Sequence, residues 1–128
     1  MITQITNNVQ VSVETYYQPG QSNPLSHEFM FAYRIVIDNF SNRSVRLLNR
    51  HWYIFDSCGI HREVQGEGVI GKRPLIEPSG SYEYVSGCNL RSEIGRMHGT
   101  YLMQRPSDGG CFTVIIPKFL LIAPFKLS

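Results

Sequence analysis

The chain has 128 residues, 42% of them hydrophobic, with seven Phe, seven Tyr and one Trp, and a formal charge of +2 from twelve Lys and Arg against ten Asp and Glu. That length fits one domain spanning 1–128 and suffices for a core without staples, and the apolar fraction excludes a disordered chain. The near-neutral charge gives no support to nucleic acid as a partner, and the longest apolar run, FLLIAPF at residues 119–125, falls far short of the roughly 20 residues that cross a bilayer.

The first ten residues carry neither a positive n-region nor an apolar h-region, so the expected location is the cytoplasm. Residues 9–17 (VQVSVETYY) alternate Val9, Val11 and Val13 with Gln10, Ser12 and Glu14, the period of a strand with one wet face. Breakers at Pro19, Gly20, Asn23 and Pro24 end it. Residues 28–38 (EFMFAYRIVID) predict a central strand whose core face is Phe29, Phe31, Tyr33, Ile35 and Ile37. The run NFSNRS at 39–44 is a turn by composition.

A third strand is predicted from Val45 to about Phe55, with Leu48, Trp52 and Ile54 on one face and Leu47, Tyr53 and Phe55 on the other. Asp56, Ser57, Cys58 and Gly59 then form a bend that closes a hairpin onto residues 60–65. Further strands are expected at 81–86, after a Pro78-Ser79-Gly80 turn, and at 95–103, with 88–94 as a connection between them. Gly99 within the latter permits a close backbone or ring approach. The turn PSDGG leads into CFTVIIP at 111–117, where Pro117 ends regular pairing or sits at an edge. About seven short strands, with no segment of helical period, predict an all-β immunoglobulin- or fibronectin type III-like antiparallel sandwich, with an open barrel as the alternative.

Between residues 65 and 78 lies Gly66-Glu67-Gly68-Val69-Ile70-Gly71, a GxGxxG string. Before a helix it would indicate a dinucleotide site, but Pro74 and Pro78 forbid the helix. Two uses remain: an anion-binding nest at Gly66, Gly68 and Gly71 with Lys72 and Arg73 adding charge, or glycines serving a bend between strands. Four histidines suggest a metal set from His51, His61 and Asp56 around one hairpin, although their spacing shows no compact cluster and no metal or other cofactor is expected. Cys58, Cys88 and Cys111 are too few and too widely spaced for a disulfide framework; Cys111 is expected to pack in the core, and Cys58 and Cys88 to lie in polar loops. Ser57, Ser79, Ser86 and Ser92 lack a nucleophile-elbow context, so no catalytic residue is assigned and no enzyme is expected.

Several pieces together resemble one family: FAYRIVIDN (31–39), RHWYIFDSCG (50–59), EVQGEGVIGKRPLIEPSGSYEYVSG (63–87), GRMHGTYLM (95–103) and IIPKF (115–119) are similar to the ApaG family over nearly the whole chain. Ser92-Glu93 stands where the family commonly has Thr-Pro, and Val85-Ser86-Gly87 where it has Thr-Ser-Gly. The resemblance implies a fibronectin type III-like fold, no defining catalytic residues, and an association with cobalt tolerance and magnesium efflux. It also implies a partner-binding role, since the domain occurs in some F-box proteins and in a polymerase-delta-interacting protein. The expected function is therefore a non-catalytic module for an unidentified protein partner, with surface aromatics or sheet edges as contacts, including edge pairing with a second copy as a homodimer. Alternatives are binding of a small anion or nucleotide at the glycine-rich loop and binding of a divalent metal.

Overall fold

The structure, a computed structural model, describes residues 1–126. Nine strands run in chain order: β1 (Ile2–Thr6), β2 (Val9–Tyr17), β3 (Phe29–Asn39), β4 (Val45–Asp56), β5 (Ile60–Glu67), β6 (Leu75–Ile76), β7 (Ser81–Leu90), β8 (Ile94–Gln104) and β9 (Cys111–Ile122). They form two antiparallel sheets, β1-β2-β3-β7 and β5-β4-β8-β9, with β6 beside the start of β4. This is the expected all-β sandwich.

Strict alternation builds one half of the core. Val9, Val11 and Val13 of β2 and Phe29, Phe31, Tyr33, Ile35 and Ile37 of β3 are all buried, as their period of two requires. Trp52 meets this face edge-on, 5.4 Å from Tyr33 between ring centroids, and packs 5.9 Å from Phe119 of its own sheet. The turn after β3 is held by buried Asn39, whose side-chain amide donates to the Arg43 and Ile76 carbonyls while its oxygen accepts from the Ser41 N–H.

The other sheet departs from alternation twice. The β4–β8 register shifts between Leu47 and Asn49, so Val45 and Leu47 point inward before the bulge and Trp52 and Ile54 after it. The expected grouping of Leu48 with Trp52 is thereby corrected: Leu47 is fully buried and Leu48 only partly, because an extra residue reverses which face a strand presents. A second shift opposes Pro117 and Lys118 of β9 to His98. Pro117 therefore interrupts rather than ends the strand, and buried Ile116 and Pro117 are successive residues.

Three further expectations need correction. The connection is only residues 91–93, because β7 and β8 extend to Leu90 and from Ile94. Cys88 is buried within β7, whereas Cys111 is exposed at the start of β9; its side chain shares the outward parity of Thr113 and Ile115. Finally, β1 is a strand that its sequence did not announce, closed onto β2 by Asn7 and Asn8 at φ 50° and 64°, the left-handed pair of a two-residue hairpin. At Gly99 the expected close approach is backbone: an added Cβ would lie 2.1 Å from the His51 carbonyl oxygen.

Candidate functional site

One long side of the sandwich is closed, with β1 and β2 packed on β9. On the opposite side the two sheets end in β5 and β7, which part. All of β5 is exposed except half-buried Gly66. Arg62 spans the gap: its guanidinium donates to the Asn89 carbonyl of β7 and lies 3.6 Å from the Cys88 sulfur.

Two adjoining chambers of about 150 and 220 Å³ open along this edge, sharing Tyr33, Arg50, Trp52 and Ser86 in their walls. Val69, Ile70 and Gly71 border the first. Ile54, Arg62, Val64 and Cys88 border the second. The cleft thus has an apolar floor with arginines at its margin. Among the described residues neither Arg50 nor Arg62 has a carboxylate partner; Glu67 pairs with Arg73 at 3.2 Å and Glu63 with His51 at 2.5 Å. Arg50 instead donates through Nη1 to the Glu67 and Gly68 carbonyls, both at 3.0 Å.

Behind the cleft sits a cluster of tyrosine hydroxyls. Tyr84 and Tyr101 bond to each other, and Tyr33 lies with Ser86 in the walls of both chambers. Burial pushes all three phenols up, against the Arg50 charge, which favours their ionised forms. They are neutral at any physiological pH and act as polar, uncharged lining. Burial likewise pushes the Cys88 thiol up, with the Arg62 charge opposing it, so the thiolate needed for reactivity is disfavoured.

The glycine-rich segment does not form one continuous loop. Gly66 belongs to β5 opposite Arg50, and an added Cβ there would come within 2.9 Å of both terminal nitrogens of Arg50. Gly68 and Gly71 have φ of 59° and 73°, and Ile70 is also left-handed at 48°. The Gly68 N–H donates to the Leu48 carbonyl, the Val69 N–H to Lys72 and the Lys72 N–H back to Val69. Arg73 donates to the same Leu48 carbonyl and pairs with Glu67. Lys72 is exposed. The expected site residues are therefore neighbours, but the N–H groups of Gly68, Val69 and Lys72 are spent within the fold.

His51, His61 and His98 fall on the outer face of this sheet, and His27 lies in the turn between β2 and β3. His51 stacks on Tyr53 at 4.5 Å and Tyr53 on His98 at 5.1 Å. Asp56 lies on the inner face, buried, accepting from the Arg91 N–H and from the Ser92 hydroxyl, which also bonds Ser57. The expected His51, His61 and Asp56 set thus divides between two faces, and among the described residues no three His, Cys, Asp or Glu side chains converge as metal ligands do. No described helix is long and apolar enough to cross a membrane.

The composition of the cleft had a partial signal in the sequence. Arg50 shares the parity of Trp52 and Ile54, which sets a charge in the same row as large apolar residues but by itself gives it no role. Ser86 and Arg62 had no comparable mark, because their roles depend on which two edges part.

Comparison with known proteins places this architecture. The family model of the ApaG domain matches residues 19–105. Protein ApaG of Paramagnetospirillum magneticum is 43% identical over 98% of this chain and 96% of its own length, and that of Sinorhizobium fredii 45% over 97% and 95%. The crystal structure of an ApaA protein from Bordetella pertussis superposes with a TM-score of 0.87 at 40% identity, covering 91% of this chain and 94% of that one. An X-ray structure of a structural-genomics target matches at TM-score 0.89 and 38% identity over 98% and 94%. With sequence agreement running nearly end to end and the same two-sheet fold in solved relatives, the chain belongs to the ApaG family.

Proposed function

We propose that the protein is a non-catalytic recognition module of the cytoplasm, and that it takes a partner protein along the open β5/β7 edge. The observation that carries this reading is β5 itself: eight residues, seven of them exposed, hydrogen-bonded to β4 on one side and, among the described residues, to no strand on the other. Such an edge is a template for an added strand. Two of the serines that could suggest catalysis are engaged structurally: Ser57 bonds Ser92, which in turn donates to Asp56, and among the described residues no histidine is a hydrogen-bond partner of either. An association with cobalt tolerance or magnesium efflux, as the family resemblance implies, would then be exercised through the partner.

Replacing Val64 with a photo-crosslinking phenylalanine analogue in the full chain, expressed in its native cell, tests this reading. A discrete adduct should form on irradiation and be missing when the analogue sits at Gln4 on the β1 edge. Equal labelling from both positions, or none from residue 64, defeats it. A second reading, a small anion at Gly66, Gly68, Gly71, Lys72 and Arg73, draws support from exposed Lys72 beside two left-handed glycines. Calorimetric titration with pyrophosphate, ATP and dinucleoside polyphosphates checks it: no heat at millimolar ligand removes it.

A further inference from the structure

Edge pairing alone does not say what sequence the edge accepts, yet the side chains facing the cleft do. Along β5 the inward row is Ile60, Arg62, Val64 and Gly66, paired with Asp56, Ile54, Trp52 and Arg50 of β4. At its two charged points this row presents a cation. Arg62 supplies its own guanidinium, and at Gly66 the missing side chain leaves room for that of Arg50. Four residues of strand separate these points, about 13 Å. Between them lie Val64, 38% exposed, and the chamber floored by Trp52.

The backbone has a matching parity. The Gly68 N–H faces β4, where it donates to Leu48, and alternation of the antiparallel ladder carries this orientation to Gly66, Val64 and Arg62. The N–H and C=O groups of His61, Glu63 and Gln65 therefore point outward, available to a new strand. Residues of that strand opposite Arg62, Val64 and Gly66 would form close, non-hydrogen-bonded pairs over the cleft. On the outer face Glu67 is paired with Arg73, and Glu63 is hydrogen-bonded to His51 and Gln65; on the inner row the charges are the two guanidiniums of Arg62 and Arg50, neither with a carboxylate partner among the described residues.

From this geometry we infer that the β5 edge is a docking site for an extended segment of pattern acidic-x-apolar-x-acidic, added as a strand to β5, with its carboxylates on Arg62 and Arg50 and its apolar residue on Val64. The inference rests on the edge-docking reading above and specifies its partner. Side chains at i, i+2 and i+4 of a strand share one face, so the same spacing that separates the two arginines separates the two acids. Paired opposite charges and an apolar centre give register, and the main-chain ladder gives affinity.

The probe is the blocked heptapeptide Thr-Glu-Thr-Val-Thr-Glu-Thr, whose palindromic order makes strand direction immaterial. It is titrated into the ¹⁵N-labelled full chain and followed by amide shifts and hydrogen exchange. Binding should move and protect His61, Glu63 and Gln65. Thr-Thr-Glu-Val-Glu-Thr-Thr, equal in charge but with its acids on the opposite face from Val, should bind at least tenfold more weakly, as should the peptide with Lys for both Glu. Arg50→Gln and Arg62→Gln should each weaken the first peptide by about tenfold, the usual effect of one charge-assisted hydrogen bond. Gln65→Pro, which removes an outward N–H at an edge position that tolerates proline, should weaken all strand-like binding; thermal melts establish that each variant is folded. The inference is overturned if the first peptide does not bind at millimolar concentration, if the face-swapped peptide binds equally, or if both arginine variants bind as the wild type does. A photo-adduct from residue 64 that survives such a result would leave edge docking standing and the acidic pattern refuted.

Discussion

Substituting alanine for each glycine of GxGxxG in turn should give unequal costs, because the three positions meet different surroundings. At Gly66 the atoms nearest the added Cβ are the tip of Arg50, at 2.9–3.0 Å. A flexible side chain gives way cheaply, and the gain of about 0.5–1 kcal/mol that alanine brings over glycine in a strand offsets part of the two Arg50 hydrogen bonds weakened by the displacement, so Gly66→Ala should cost no more than about 1 kcal/mol. At Gly71 nothing lies within 4 Å but φ is +73°. The left-handed penalty of about 1–2 kcal/mol, reduced by the lower entropy of the unfolded alanine chain, leaves about 1 kcal/mol. Gly68 carries the same penalty at φ +59° and a backbone collision, 2.0 Å from the Lys72 carbonyl oxygen. Relief there requires giving up the Val69–Lys72 bridge and the Gly68 bond to Leu48. At about 1 kcal/mol per hydrogen bond, Gly68→Ala should cost about 3 kcal/mol or more. Urea unfolding of the three variants at constant m-value reads the order directly. A cost for Gly66→Ala equal to that for Gly68→Ala, or a neutral Gly68→Ala, would refute the assignment of these glycines to separate structural tasks. Gly66→Ala also displaces the Arg50 guanidinium, so it should lose acidic-peptide binding while keeping most of its stability, a separation that Gly68→Ala cannot show.

Two other outcomes follow from the buried sheet. Burial alone would raise the Asp56 pKa, but hydrogen bonds from Ser92, the Arg91 N–H and Cys58 outweigh it and hold the carboxyl below its ordinary 3.8. A carboxylate whose folded pKa is depressed contributes stability above the unfolded pKa and loses it as pH falls through the folded one. Asp56→Asn, which turns an amide donor toward groups that themselves donate, should therefore cost about 2 kcal/mol near neutrality, with the gap narrowing below about pH 4; a gap unchanged down to pH 2 in urea titrations would contradict this. Gly99→Ala sets a Cβ 2.1 Å from the His51 carbonyl oxygen in the middle of the β4–β8 ladder. The loss should exceed about 3 kcal/mol, and a soluble variant with an unshifted melting temperature would show that the two strands separate more easily than their pairing implies.

Much of the fold was legible because β2 and β3 satisfy a single rule. Every second residue from Phe29 to Ile37 is buried, and nothing in that stretch competes with the period. What escaped notice did so for identifiable reasons. β1, with four of five residues exposed, has no core face for a pattern to announce, and its one signal was the Asn7-Asn8 pair. Leu47 and Leu48 are chemically interchangeable, so the sequence could not tell which one the bulge turns inward. Cys88 and Cys111 were exchanged between core and surface because each lies at the end of its predicted segment, where an error of a few residues in length decides burial. For the candidate site, Arg50 was visible as a charge in the row of Trp52 and Ile54, without a role. The cleft was not, since it depends on β5 and β7 being terminal strands of different sheets.

The bulge at Leu48 links these local errors to the glycine string. Beyond Asn49, the partner of Glu67, an extra residue on β4 breaks the regular ladder, and β5 cannot continue alongside. The chain leaves, turns through left-handed Gly68, Ile70 and Gly71, and returns to β4 as β6 at Val45 and Arg46. The bulged Leu48 carbonyl is satisfied from the detour by both the Gly68 N–H and Arg73, as a backbone acceptor in an irregular stretch requires. Gly66 is the last inward-facing position before the departure, and a side chain there would occupy the space through which Arg50 reaches the Glu67 and Gly68 carbonyls. The spacing of the three glycines thus matches a strand edge, its detour and its return, and the same geometry brings a cation to the rim of the cleft. That is why an acidic partner strand, rather than stability alone, is the sensitive assay for Gly66.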